Sequence, residues 1–418
     1  MLGELSNVLK ITELRQKIVF TLVMFLVFRL GTHIPVPGVN AAVIEQLFTS
    51  GNLFGLLDMF SGGALSKFSI FAMSITPYIN ASIIMQLLTV VVPTFEQWAK
   101  EGDEGRKKIA KITRYGTVVL GFVQAIGMAF GLKVAIINPG FGSILVIALA
   151  LTAGTTFLMW LGEQITEKGI GNGISLIIFA GIVSRLPDGI YTIFEYVRAG
   201  TINIFSVFLF LVVAVAMIVF VILIQQGQRR IPVQYAKRVV GRKMYGGNST
   251  HIPLKVNQAG VIPIIFASSV LMFPVTIAQF IDVPWVKTVA GWFAWGTPLQ
   301  TVLYALLIVF FTYFYTAVTM NISDMAENMK KHGGFIPGIR PGKPTADYLD
   351  RVMTRITLAG SIFLAIIAIL PNFIGAATNL QGVYFGGTAL LIVVGVALDT
   401  MKQIEALVLM RHYQGFMK

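Results

Sequence analysis

Histidine, cysteine, serine and the carboxylates are the residues that could make or break bonds, and none is spaced for it. The four histidines, His33, His251, His332 and His412, are scattered, and none falls in H-E-x-x-H, the pair that holds a catalytic zinc on one helix face. No G-x-S-x-G nucleophile elbow occurs. Gly342-Lys343 lacks the upstream glycine of a phosphate-binding loop and runs into Pro344. Zero cysteine removes thiol catalysis, thiolate metal sites and redox switching. The 19 Asp and Glu fall in loops or at the ends of apolar segments, so no carboxylate is placed to couple a proton or a sodium ion. The sequence therefore points to no enzyme, no cofactor and no metal. What remains is the chemistry of contact: amides and hydroxyls set into apolar stretches, and cations gathered in two long loops.

The elements that carry these groups follow from composition. Of 418 residues, 56% are hydrophobic and 12% charged, with a mean hydropathy of +0.78. Soluble domains run near ~25% charged, so this chain could not cover a water-facing surface. A membrane-spanning helix needs about 20 mostly apolar residues. Ten segments fit: 18–37, 68–92, 115–132, 143–161, 171–187, 204–225, 259–280, 298–320, 354–374 and 380–398. Residues 1–17 are polar and the first apolar run is a full-length span, which reads as no cleavable signal peptide. Of the 32 Lys and Arg, 26 fall in one alternating set of connecting segments and 5 in the other. By the positive-inside rule both termini are expected in the cytoplasm. Arg29, inside the first span, is expected to snorkel to the outer interface.

Two loops on the basic side, 226–258 and 321–353, are longer than a helix connection needs. The first carries Arg229, Arg230, Lys237, Arg238, Arg242, Lys243 and Lys255; the second carries Lys330, Lys331, Arg340, Lys343 and Arg351 around GGFIPGIRPGKP. Part of this charge is topological bias. The length is not, and a projecting basic surface suits an acidic protein or RNA phosphate.

Ten spans divide into five and five, which forces an inverted repeat. Pro77–Ser82 reads PYINAS and Pro263–Ser268 reads PIIFAS, a shared P-x-I-x-A-S in the second span of each half. The second span is polar for its class, with Thr76, Tyr78, Asn80, Ser82 and Gln86; Gln124 and Asn257 add amides in the third span and at the mouth of the seventh. Such groups face either neighbouring helices or an aqueous path. The segment 52–65 is too short to span. Its Leu53, Leu56, Leu57 and Phe60 share one helical face, and Gly62-Gly63 ends the helix. It reads as either an amphipathic surface helix or a re-entrant half-helix.

Six stretches in order resemble the bacterial SecY family, the central subunits of the Sec protein-conducting channel: FRLGTHIPVPG (28–38), GGALSKFSIFAM (62–73), WLGEQITEKGIGNGIS (160–175), STHIPLKVNQAGVIP (249–263), FIPGIRPGKPT (335–345) and FGGTALLIVVGVALDTM (385–401). The resemblance implies an all-α polytopic fold with ten transmembrane helices in two inverted halves, 1–190 and 191–418, around a central pore. It implies a constriction of Ile75, Ile79, Ile174, Ile178, Ile265 and Ile392. A lateral gate would open between the second and seventh spans, with Pro77, Asn80, Gln86, Gln124, Asn257, Pro263 and Phe273 along it. Asn80 departs from the small Ser or Thr expected there. The segment 52–65 would be a plug, which favours the re-entrant reading. The basic loops would dock the SecA motor or the ribosome, with Arg340 the foremost contact. SecE and SecG are the implied subunits, and signal sequences of preproteins and membrane lipids the implied clients, in the bacterial cytoplasmic membrane. The rivals from other classes are a small-solute carrier with inverted repeats and an insertase or scaffold without a pore.

Overall fold

The computed structural model describes residues 11–40, 43–44, 58, 61–200, 203–235, 238–240, 243–245, 249–280, 283–293, 297–378 and 387–415. Its helices are α1 (Thr12–Gly31), α2 (Thr76–Val91), α3 (Pro93–Lys100), α4 (Asp103–Gly131), α5 (Phe141–Lys168), α6 (Gly173–Ser184), α7 (Leu186–Arg198), α8 (Ile204–Gln226), α9 (Ile262–Phe280), α10 (Pro284–Trp292), α11 (Pro298–Thr319), α12 (Ile322–Lys331), α13 (Lys343–Thr378) and α14 (Gly387–Gly415). Each of the ten apolar segments read from the sequence carries one of them. Six runs among the described residues are long and apolar enough to cross a membrane, and α2 with α3 would make a seventh. The most apolar, α8, is the least covered by other parts of the chain, with 11% of its best window buried. Its side chains face outward, as lipid requires.

Local chemistry sets the helix ends. Asn172, Asn203, Thr297 and Asn321 cap α6, α8, α11 and α12, each side chain accepting from a first-turn backbone N–H. The second segment departs from the continuous span expected over 68–92. Residues 62–75 are turns, and α2 starts only at Thr76, with Pro77 in its first turn where a missing N–H costs nothing. Pro77 and Pro263 thus begin helices; they do not interrupt them. Phe68 and Ser74 hold left-handed backbone, at φ 44° and 51°. At the other end Val92 precedes Pro93, is extended, and the axes of α2 and α3 bend by 99°.

The helices pack in a connected order. α4 lies against α2 and α5, α5 against α1 and α6, α11 against α9 and α13, and α14 against α8 and α13. α9 also touches α2 and α4, and α14 touches α6. The two basic loops are not separate. In the first, β1 (Gln228–Tyr235) and β4 (Ser249–Lys255) form an antiparallel hairpin with Ile231 opposite Ile252, and β2 (Arg238–Val240) pairs β3 (Lys243–Tyr245) at its far end. In the second, β5 (Gly334–Phe335) joins the other edge of β1. Ile231, Val233 and Leu254 point from this sheet onto Met329 of α12 and onto Leu349, Val352 and Met353 of α13, a small core of its own.

Candidate functional site

Six isoleucines from four helices fall in one part of the helical body. Ile75 caps α2 and Ile79 lies one turn on; Ile174 and Ile178 are one turn apart on α6; Ile265 is on α9 and Ile392 on α14. Spacing of four places both members of each pair on one helix face. All six belong to one hydrophobic cluster, with Ile75, Ile178 and Ile392 buried and Ile79, Ile174 and Ile265 half-buried against them. The cluster draws on α2 and α9, which touch, and on α6 and α14, which also touch. Its β-branched alkyl groups offer nothing to hydrate an ion.

Beside it, α2 and α9 run together. Ile83 shares a cluster with Ile264, Ala267 and Leu271. Pro77 and Pro263 are buried, and Asn80, Gln86 and Gln124 are half-buried on α2 and α4. Phe273 lies on α9, its side chain outside the described ones. Asn257, 5% exposed, donates from Nδ2 to the Gly260 carbonyl at 2.9 Å, while its Oδ1 finds no partner. Gln86 Oε1, Gln225 Nε2 and Gln258 Oε1 are likewise buried and unpaired. Asn257, Gln225 and Gln258 line a cavity of about 410 Å³ with Asn172, Lys255 and Asp399, between the start of α6, the end of β4 and α14.

At the opposite ends of α1 and α6 sits the Ser61–Ser66 turn. Leu53, Leu56, Leu57 and Phe60 lie outside the described residues. Gly62 and Gly63 are left-handed, at φ 66° and 86°. A Cβ on Gly62 would stand 2.9 Å from the Gly181 Cα of α6, so the turn rests directly on that helix. Arg29, exposed in the last turn of α1, donates from Nη1 to the Gly62 carbonyl at 2.9 Å and reaches the Ser184 hydroxyl at 3.3 Å. Asp58 is 3% exposed and ion-paired with Arg185.

The basic groups lie on the sheet and the turn beside it. Arg229, Arg230 and Lys255 are exposed on β1 and β4, Arg340 on the turn after β5, and Lys343 at the start of α13. Arg238 is in β2 and Lys243 in β3; Lys237 and Arg242 lie outside the described residues. Gly338 and Gly342 set the Arg340 turn with φ of 81° and 103°, and Thr345 Oγ1 donates to the Arg340 carbonyl at 2.8 Å. The guanidinium is thus presented on fixed backbone.

Residues 69–401 match the SecY family model. This chain belongs to the SecY family. It is 54% identical to the protein translocase subunit SecY of Halalkalibacterium halodurans, over the full length of both chains. Among solved structures it superposes on a protein-conducting channel with a TM-score of 0.68 at 18% identity, covering 94% of this chain and 92% of the other. It superposes on Sec61 from the canine ribosome-channel complex of the endoplasmic reticulum with a TM-score of 0.63 at 17% identity, over the same shares.

For this SecY-family chain, sequence reasoning missed three parts of the site. Gln225 and Gln258 flank loop 226–258 and were legible as amides at a span mouth. The strand alternation of Ile231 and Val233 would have revealed the hairpin. Nothing local pairs Asp58 with Arg185, which are brought together only by the fold.

Proposed function

We infer that the chain is the channel subunit of a bacterial protein translocase, a multi-pass protein of the cytoplasmic membrane that passes unfolded polypeptides across it and releases apolar segments into it. The supporting observation is the convergence of six isoleucines from four helices in one hydrophobic cluster. In this reading the ten helices form two inverted halves, 1–190 and 191–418, with both termini cytoplasmic and the isoleucines as the pore's waist. Alkyl groups can close around an extended chain without sequence preference and shed water when it leaves, so ions do not follow. α2 and α9 are the lateral gate, and a segment exposed there partitions into lipid by its own hydrophobicity. The segment 52–65 is the plug. The sheet with the Arg340 turn is the docking surface for the ribosome or the SecA motor, and SecE and SecG complete the complex. The chain carries no motor motif, so the driving free energy comes from the partner or the membrane potential.

The test is reconstitution with the partner subunits and the motor in vesicles. A preprotein should become protease-protected in the lumen in an ATP-dependent way, and no small solute should accumulate. Solute uptake without preprotein protection would give the chain to the carrier class instead.

A further inference from the structure

We propose that Asp58, Arg185 and Arg29 form a polar latch that fixes the Ser61–Ser66 turn to the ends of α1 and α6 and so keeps the resting channel closed. The proposal rests on the channel reading above and adds the residues that hold the closed state.

The turn is tied from within and from two sides. Asp58 Oδ1 accepts from the Ser66 backbone N–H at 2.7 Å, and the Asp58 carbonyl accepts from the Gly63 N–H and from Ser61 Oγ, both at 3.0 Å. Ser61 Oγ in turn accepts from the Leu65 N–H at 3.1 Å. The carboxylate therefore organises the turn with one oxygen and meets Arg185 Nη2 with the other. Arg185 stands at the junction of α6 and α7, and its Nη2 also lies 3.5 Å from Ser66 Oγ. From α1, Arg29 binds the Gly62 carbonyl and Ser184, the last residue of α6. Two cations from two helices thus hold one short turn. Ala64, inside that turn, is fully buried in the same hydrophobic cluster as Ile75, Ile178 and Ile392. Moving the turn would pull Ala64 out of the cluster and separate a buried carboxylate from its counter-charge, which is costly because the remaining charge is left unpaired. The same arrangement is reversible. Arg29 is exposed and the Arg185 side chain is 32% exposed, so water can replace the latch once a polypeptide spreads the helices.

The experiment uses the full complex, reconstituted with its partner subunits, in planar bilayers and in vesicles. Asp58→Asn keeps an acceptor for Ser66 but removes the charge, and Arg29→Gln removes the charge and draws the donor back from Gly62 at an exposed position. Both should raise the resting ion conductance by about tenfold or more while preprotein still becomes protease-protected. Arg185→Lys, which keeps a cation opposite the carboxylate, should stay near the parent, whereas Arg185→Met should leak as Asp58→Asn does. Assembled variants as ion-tight as the parent would overturn the proposal, and Arg29→Gln alone decides it if Asp58→Asn does not assemble. An Arg185→Lys complex that leaks as much as Arg185→Met would assign the effect to packing and overturn the ion pair. Failure of the channel reading is distinguishable, since the parent complex would then move no preprotein in the same vesicles.

Discussion

Single residues show where backbone geometry fixes function. Gly62 sits at positive φ and has the Gly181 Cα in the way of any side chain, whereas Gly38, also left-handed at φ 83°, has nothing within 4 Å. A left-handed non-glycine residue costs roughly 1–2 kcal/mol. Gly38→Ala is expected to cost that alone, and Gly62→Ala to cost more and to lift the turn off α6. Thermal unfolding in detergent checks the ranking; equal midpoints for the two variants would remove the close approach. The glycine pair itself was legible, because Gly-Gly after an apolar helix face is a breaker signal. The importance of Arg29 was half-legible: a cation inside an apolar segment must find water or a partner, but only the fold names Gly62 and Ser184.

Elements divide in the same way. The apolar segments could be read from length alone, since nothing but a helix satisfies its own backbone in lipid. Their ends could not, and the second segment shows why. Local hydrophobicity runs on through 68–75, yet Gly62, Gly63 and Pro77 bound a stretch that is buried as turns, with α2 as its short continuation. The sheet was missed for another reason. β1 pairs both with β4 in its own loop and with β5 across α9 to α12, and one-loop-at-a-time reading hides the second pairing. The seam between the second and seventh spans came from the family resemblance, and α2 and α9 do pack. Cysteines placed at Asn80 or Ile83 and at Ala267, Leu271 or Phe273, in this cysteine-free chain, should form a disulfide on oxidation. Translocation should stop until the disulfide is reduced. An oxidised crosslink across this seam that leaves translocation and segment release at the parental rate would remove the gate from α2 and α9.

At the scale of the molecule, the proposed channel calls for three kinds of surface. Among the described residues each has a counterpart: exposed arginines on the sheet, a cavity lined by Asn257, Gln225 and Gln258, and a cluster of isoleucines from four helices. In that reading they supply attraction at the entrance, hydrogen-bonding groups in the cavity and exclusion of ions at the waist. Composition and charge distribution disclosed the membrane and its basic side, but no composition distinguishes a pore-lining isoleucine from a packing one. That distinction is the central claim, and resting conductance tests it most directly. Ile79, Ile178 and Ile265 come from three helices, so changing all three to Ser should wet the waist while spreading the packing loss. In planar bilayers the assembled parent should be ion-tight, and the assembled triple variant should conduct ions at rest. A folded, assembled triple variant that stays as tight as the parent would contradict the account.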